Sequence, residues 1–237
     1  KIPLDKFIEN ALYHPRKGYY MKHYPFGKEG DFTTAPNISW IFSEMFYLWM
    51  FSYWKTFHEN EEINIVELGA GNGEMMYHII RSAKRFKNFY RNSSFIIYEK
   101  SNKLIRLQKK KLQKNHVKWI NDLNEVKDKP TIFFGNEFLD AFPIKQFVNL
   151  KGEWHEKYVE KIGKNFSFIK IKKNIDKLER QLNFKISKNQ KVVEVSFEII
   201  KFLKKLNNLI EKKGGCILFI DYAYSGFQMQ DTLQAVK

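Results

Sequence analysis

Ile63-Asn64-Ile65-Val66-Glu67-Leu68-Gly69-Ala70-Gly71-Asn72-Gly73-Glu74 is the stretch that decides the fold. A short apolar run reading as a strand, Ile63 to Val66, meets three glycines at alternate positions, and a helical pattern opens at Glu74 and runs to Phe86. Working outward, Phe95 to Tyr98 reads as a strand, Asn102 to Leu112 as a helix, and Val117 to Ile120 and Thr131 to Phe134 as two more strands. A helix from Ser196 to Lys213 then leads through Gly214-Gly215 into the apolar strand Cys216 to Ile220. Strands alternating with helices predict a doubly wound parallel sheet of the Rossmann-like α/β class. Ile144 to Ile171 alternates around Gly152 and Gly163 and predicts antiparallel β-hairpins inserted into that sheet's connections. Upstream, apolar residues at helical spacing from Leu4 to Tyr13 predict a short helix, and Pro36 opens a long one toward Phe57. The chain therefore divides into an N-terminal helical segment (1–60), a first half of the core (61–143), a hairpin region (144–190) and a second half of the core (191–237).

Glycines at 69, 71 and 73 let the backbone bend sharply, take positive φ and admit a ligand where a Cβ would stand. They make a tight turn in any case, and with a second feature they make a nucleotide site. That feature is Glu99, at the end of the second strand, where a carboxylate can accept both hydroxyls of a ribose. A dinucleotide fingerprint wants glycine at position 74, occupied here by Glu, whereas Glu-x-Gly-x-Gly-x-Gly is the spacing of methyltransferases that use S-adenosyl-L-methionine. Glu67 either braces the glycine loop or helps bind the cationic methionine end. Asp122, after the third strand, is either an adenine contact or a plain turn residue. Beyond the fourth strand, Asn136, Glu137 and Asp140 face the position of the cofactor's reactive end, and the two acids either cap the turn or hold a cationic methyl acceptor. Asp31, Thr33 and Thr34, in Gly30 to Ser39, either form a wall over the cofactor or cap the helix that Pro36 opens.

Composition bounds the rest. The 237 residues, 43% hydrophobic, suffice for one large core or two small ones. The single Cys216 excludes an intramolecular disulfide and a cysteine-rich metal site and fits a reducing compartment. The most apolar stretch, Ile38 to Trp54, contains Glu44 and reads as a buried helix, not a membrane span. The net charge of +15, from 41 basic against 26 acidic residues, is spread over helix faces such as Lys109-Lys110-Lys111, which reads as solvated surface more than a nucleic-acid groove. No aromatic and basic stacking string for single-stranded RNA is evident.

Several strings together resemble one family. Gly30-Asp31-Phe32-Thr33-Thr34-Ala35-Pro36-Asn37-Ile38-Ser39, the Glu67 to Gly73 turn, Asn136-Glu137-Phe138-Leu139-Asp140-Ala141-Phe142-Pro143, Ile220-Asp221-Tyr222 and Asp231-Thr232-Leu233-Gln234-Ala235 look like successive signatures of the MidA family. Its animal members are mitochondrial complex I assembly factors with protein arginine methyltransferase activity. The resemblance implies a class I methyltransferase fold and S-adenosyl-L-methionine as donor. It also implies symmetric ω-N dimethylation of an arginine on a protein substrate, a subunit of the peripheral arm of complex I. The family continues beyond the Asp-Thr-Leu-Gln-Ala string, so the chain reads as a fragment lacking the last strands of the sheet. Its Lys, Asn and Ile bias suggests a bacterial, cytoplasmic protein; a eukaryotic source would place it in the mitochondrial matrix. An RNA methyltransferase and a non-catalytic assembly chaperone on the same fold are the competing readings.

Overall fold

A computed structural model describes residues 1–23, 25, 30–222 and 231–234. In chain order the elements are β1 (Ile2–Pro3), α1 (Leu4–Tyr13), α2 (Tyr19–Lys22), α3 (Ala35–Ile38), α4 (Trp40–Phe57), β2 (Ile63–Leu68), α5 (Glu74–Ala83), α6 (Lys87–Asn92), β3 (Ser93–Tyr98) and α7 (Asn102–Leu112). They continue with β4 (Val117–Ile120), a 3-10 turn (Leu123–Glu125), β5 (Thr131–Asn136), β6 (Lys145–Leu150), β7 (Glu153–Ile162), β8 (Asn165–Lys172), α8 (Ile175–Leu182), β9 (Val192–Val195), α9 (Phe197–Lys213) and β10 (Gly215–Ile220).

Residues 19–140 and 201–221 gather into one compact unit. Its sheet has the order β10-β5-β2-β3-β4, every pair parallel, as the alternating pattern predicts. Each residue of β2 is buried, and the strand is apolar apart from Asn64 and the charged Glu67. Alternation along the pleat sends Ile63 and Ile65 to one face, where they join Phe46, Tyr47, Met50 and Trp54 of α4 and Met76, Ile79 and Ile80 of α5. Val66 and Leu68 go to the other face, against Phe202, Leu203, Leu206 and Ile210 of α9. Truncating one such side chain, Ile65 to Ala, costs roughly 2–5 kcal/mol from lost transfer energy and the cavity left behind.

The long helix expected from Pro36 is instead two. Ser39 is extended (φ −145°, ψ 124°), and its Oγ accepts the Ile41 N–H at 3.3 Å, so α3 stops and α4 starts afresh at Trp40. The Ile38 to Trp54 stretch is buried on one side only. Ser43, Phe46, Tyr47, Met50 and Trp54 are inside, while Ile38, Ile41, Met45 and Leu48 are exposed, because among the described residues the sheet covers a single helix face. The helix from Glu74 ends at Ala83, three residues short of Phe86, and α6 follows. No helix among the described residues is long and apolar enough to cross a membrane.

Residues 1–18 and 141–200, with the described part of 222–237, form a second compact unit. The predicted hairpins are present as β6-β7-β8, all antiparallel. The unit also takes in two segments that the sequence division placed elsewhere. β1 pairs with β7, Ile2 opposite Val159, and Asp5 of α1 meets the Lys145 ammonium at 3.0 Å, so residues 1–18 part company with 19–60. β9, counted above with the second half of the core, pairs with β6, Lys145 opposite Val195. Backbone pairing across long sequence separations carries no local signal, which is why a linear division misses it. Phe147, Leu178, Val193 and Val195 form this unit's own small core. Of the final signature string, Asp231 to Gln234 belong here and Ala235 lies outside the described residues.

Candidate active site

The order of the parallel sheet reverses between β2 and β5: β3 and β4 lie on one side, β5 and β10 on the other. Ligands of such sheets bind beyond the carboxyl ends of the strands at that reversal. There Gly69, Gly71 and Gly73 all have positive φ, at 69°, 52° and 80°, the conformation for which glycine is suited. At Gly69 a Cβ would lie 2.7 Å from Cδ2 of Phe138, whose ring is held beside Phe202 and stacked at 6.2 Å on Phe219. Asn72 donates to the Asn37 side chain at 2.6 Å, which ties the Gly30 to Ser39 string to the turn.

Glu99 ends the neighbouring strand and is almost wholly buried. Its Oε1 accepts the Ser101 N–H at 2.8 Å and its Oε2 accepts from the Gln108 side-chain amide at 3.2 Å. Gln108, fully buried on α7, donates also to the Gly71 carbonyl at 2.9 Å, while its own Oε1 accepts from the Trp119 indole at 3.0 Å. One amide thus joins the glycine turn, Glu99 and β4. Burial raises the Glu99 pKa, and the Ser101 and Gln108 donors oppose the rise.

Glu67 is buried deeper still. Burial pushes its carboxyl up to about 8, against a smaller lowering by the Met76 N–H, with the nearby Glu99 charge adding to the rise. Its Oε2 is buried and has no hydrogen-bond partner among the described residues. Folded proteins normally satisfy such an atom, and this one belongs to the residue two before Gly69 of the glycine turn.

Beyond β5, Glu137 takes a left-handed conformation (φ 50°), unusual for a residue with a side chain, and its N–H donates to the Ile220 carbonyl at 2.8 Å. Asn136 donates to Glu137 Oε1 at 3.2 Å. The turn that follows is braced by another acid: Asp221 Oδ2 accepts the N–H groups of Leu139 at 2.7 Å and Asp140 at 3.1 Å. Burial pushes the Tyr20 phenol up to about 12, with smaller contributions from the nearby charges of Asp140 and Glu137. The Tyr20 carbonyl accepts from the Ser101 hydroxyl at 2.8 Å, which fixes α2 beside the Glu99 loop.

The remaining predicted residues divide. Asp122 caps the 3-10 turn through the Asn124 N–H at 3.1 Å and pairs with Lys205 at 2.8 Å; both partners lower its pKa, the lysine most. Asp31 accepts from the Tyr19 hydroxyl. Thr33 is exposed. Thr34 stands at the start of α3 without a side-chain cap and accepts instead from Asn37 at 2.9 Å. Gln108, Ser101 and Tyr20 stand outside every motif of the sequence, and Asp221 lies in the Ile220-Asp221-Tyr222 string with no role of its own expected. Gln108 had a legible signal: Leu104, Gln108 and Leu112 share the inward face of α7, and an amide among leucines demands partners.

A parallel sheet of this order, with a glycine turn after its central strand and an acid closing the next, defines the class I methyltransferase fold. The chain belongs to the family described as "Putative S-adenosyl-L-methionine-dependent methyltransferase", whose model matches residues 45–237. It is 27% identical over 260 residues to "Protein arginine methyltransferase NDUFAF7, mitochondrial" of Danio rerio, covering all of this chain and 61% of that protein. The Homo sapiens protein of the same name is 25% identical over 252 residues, covering 95% and 56%. The chain therefore spans about 60% of the length of these curated relatives. A Burkholderia thailandensis superfamily member solved with S-adenosyl-homocysteine shares the fold, with a TM-score of 0.74 at 20% identity over 94% of this chain and 58% of that one.

Proposed function

We propose that this chain binds S-adenosyl-L-methionine along the carboxyl ends of β2, β3 and β4 and supports methyl transfer to an arginine nitrogen of a protein. The carrying observation is the Gln108 amide, which locks the glycine turn and the Glu99 carboxylate into one network. The residues fit the group: three positive-φ glycines open the backbone, Glu99 retains acceptor capacity for a ribose, and the unpaired Glu67 oxygen suits a cationic ligand end. Asp122 at the end of β4 is the adenine-side candidate, and Asp31, Thr33 and Thr34 belong to the string that reaches the turn through Asn37.

The bound donor supplies an electrophilic methyl group on a sulfonium. The chain's own residues must place a nitrogen in line with it and offset the juxtaposition of two cations. Glu137 and Asp140 can pair with the planar guanidinium, and a carboxylate can take the proton released as the N–CH3 bond forms and the S–CH3 bond breaks. Because Asp221 already holds the turn's N–H groups, the acids need not cap it. The relatives' names support a protein arginine as acceptor over RNA. They are also the support for a mitochondrial setting in eukaryotes and, with the family resemblance, for an acceptor in complex I.

Calorimetry of the full-length protein with S-adenosyl-L-methionine tests the first half, with Glu99→Ala expected to weaken binding by roughly 1–3 kcal/mol. Labelled methyl transfer to cell protein and RNA, followed by amino-acid analysis, tests the second. Label on RNA or on lysine would remove the arginine reading.

A further inference from the structure

We infer that Gln108 is a positioning residue for ribose recognition: by donating to Glu99 Oε2 while its own oxygen is held by Trp119, it fixes the rotation of the carboxylate that would accept a vicinal diol. The inference rests on the proposed cofactor reading and deepens it. A carboxylate has about four acceptor sites, two on each oxygen. In this chain Oε1 spends one on the Ser101 N–H at 2.8 Å and Oε2 spends one on Gln108 at 3.2 Å. Each oxygen is thus held by one donor, the Lys100 N–H also helps keep the carboxylate ionised, and Gln108 is the side chain whose donor sets the carboxylate's rotation.

The Gln108 amide has a single allowed orientation. An indole N–H only donates, so the Trp119 contact at 3.0 Å must fall on the amide oxygen. The NH2 group then faces the Gly71 carbonyl and Glu99, both acceptors, and a flipped amide would set oxygen against oxygen at both contacts and leave the indole facing a donor. Gly73 lies against this side chain, where a Cβ would make ordinary contact at 3.5 Å with Gln108 Cα and Cγ, so it is the backbone at φ 80° that calls for glycine there. With Gln108 fully buried, water cannot replace its donors. Removing them would let the carboxylate rotate and raise its hold on a proton, since the Gln108 bond is one of the influences keeping Glu99 ionised.

The test compares S-adenosyl-homocysteine with its 2′,3′-dideoxy analogue by calorimetry at several pH values, in the full-length wild type, Gln108→Met and Trp119→Phe. Wild type should prefer the diol by roughly tenfold to a hundredfold, the scale of hydrogen bonds to a charged acceptor. In Gln108→Met, which keeps length and removes both donors, the preference should fall below about threefold, and binding of the diol form should tighten as pH rises. Trp119→Phe frees the amide to flip and should give an intermediate preference, which keeps the inference testable if the Met variant does not fold. Wild-type preference and pH profile in both folded variants would overturn the inference alone. Failure of the wild type to bind, or to distinguish the analogue at all, would overturn the cofactor reading and this inference with it.

Discussion

Asp221, at the end of β10, holds the Leu139 N–H at 2.7 Å with the same carboxylate oxygen that takes the Asp140 N–H. An acid that is distant in sequence thereby sets the shape of the loop carrying Glu137 and Asp140. Asp221→Ala would strand two N–H groups and should cost about 1–3 kcal/mol. Asp221→Asn keeps an acceptor oxygen and should cost less than half as much. Melting curves give the stability, and cofactor affinity measured beside them should hardly change, since the Glu99 network does not include Asp221.

Glu137→Gln and Asp140→Asn should keep fold and cofactor affinity while cutting methyl transfer by about a hundredfold or more, the scale of losing one preorganised charge. Glu137→Gly should be no less stable than wild type, because it relieves a left-handed backbone at φ 50°, yet it should be inactive. Single-turnover transfer measured beside thermal unfolding separates the two effects. Near-normal rates in both acid variants would remove the carboxylate clamp.

Gly69→Ala joins two parts of the site in one lesion. The new methyl would meet the Phe138 ring at 2.7 Å on a backbone at φ 69°, and that ring is backed by Phe202 and Phe219. Strain of about 1–3 kcal/mol is expected, with the loop after β5 displaced. Cofactor affinity and the rate at saturating cofactor should both fall; a rate that stayed intact would mean that Phe138 moves independently of Glu137.

Glu67 gives a pH signature. Its carboxyl, raised to about 8 from an ordinary 4.5, keeps a proton in the folded chain that the unfolded chain releases. Its contribution to stability is fully present below 4.5 and is lost as pH rises through 8. A cationic ligand end near Glu67 would favour the ionised form, so cofactor affinity should rise with pH across the same window, by at most about tenfold per unit. Glu67→Gln should flatten both trends, measured as melting temperature and as Kd. A pH-independent Kd in the wild type would place the cationic end elsewhere.

The parallel core was legible because its evidence is local. β2, its glycine turn and α5 are contiguous, α7 matches its predicted span, and Glu99 falls where the strand pattern ends. Contacts made at a distance were hidden. Neither Asp221 on the Leu139 N–H nor Tyr20 beside Asp140 leaves a periodic trace. Ser39 broke the expected helix because a serine can cap as readily as it can continue one. Gln108 was the recoverable omission, an inward-facing amide in a helix otherwise dominated by lysine.

The pairing of Ile2 with Val159, and of Gly215 with Thr131, has a consequence for how the chain is made. Translation delivers β1 long before its neighbour β7 exists, and β5 must wait with one edge open until β10 emerges. The nascent protein therefore carries unpaired backbone edges until those partners emerge, at Ile2–Pro3 and along the strand Thr131–Asn136. Exposed edges of that kind recruit other strands. Ribosome-bound chains halted before residue 215 should accordingly depend on holdase chaperones far more than the released protein does.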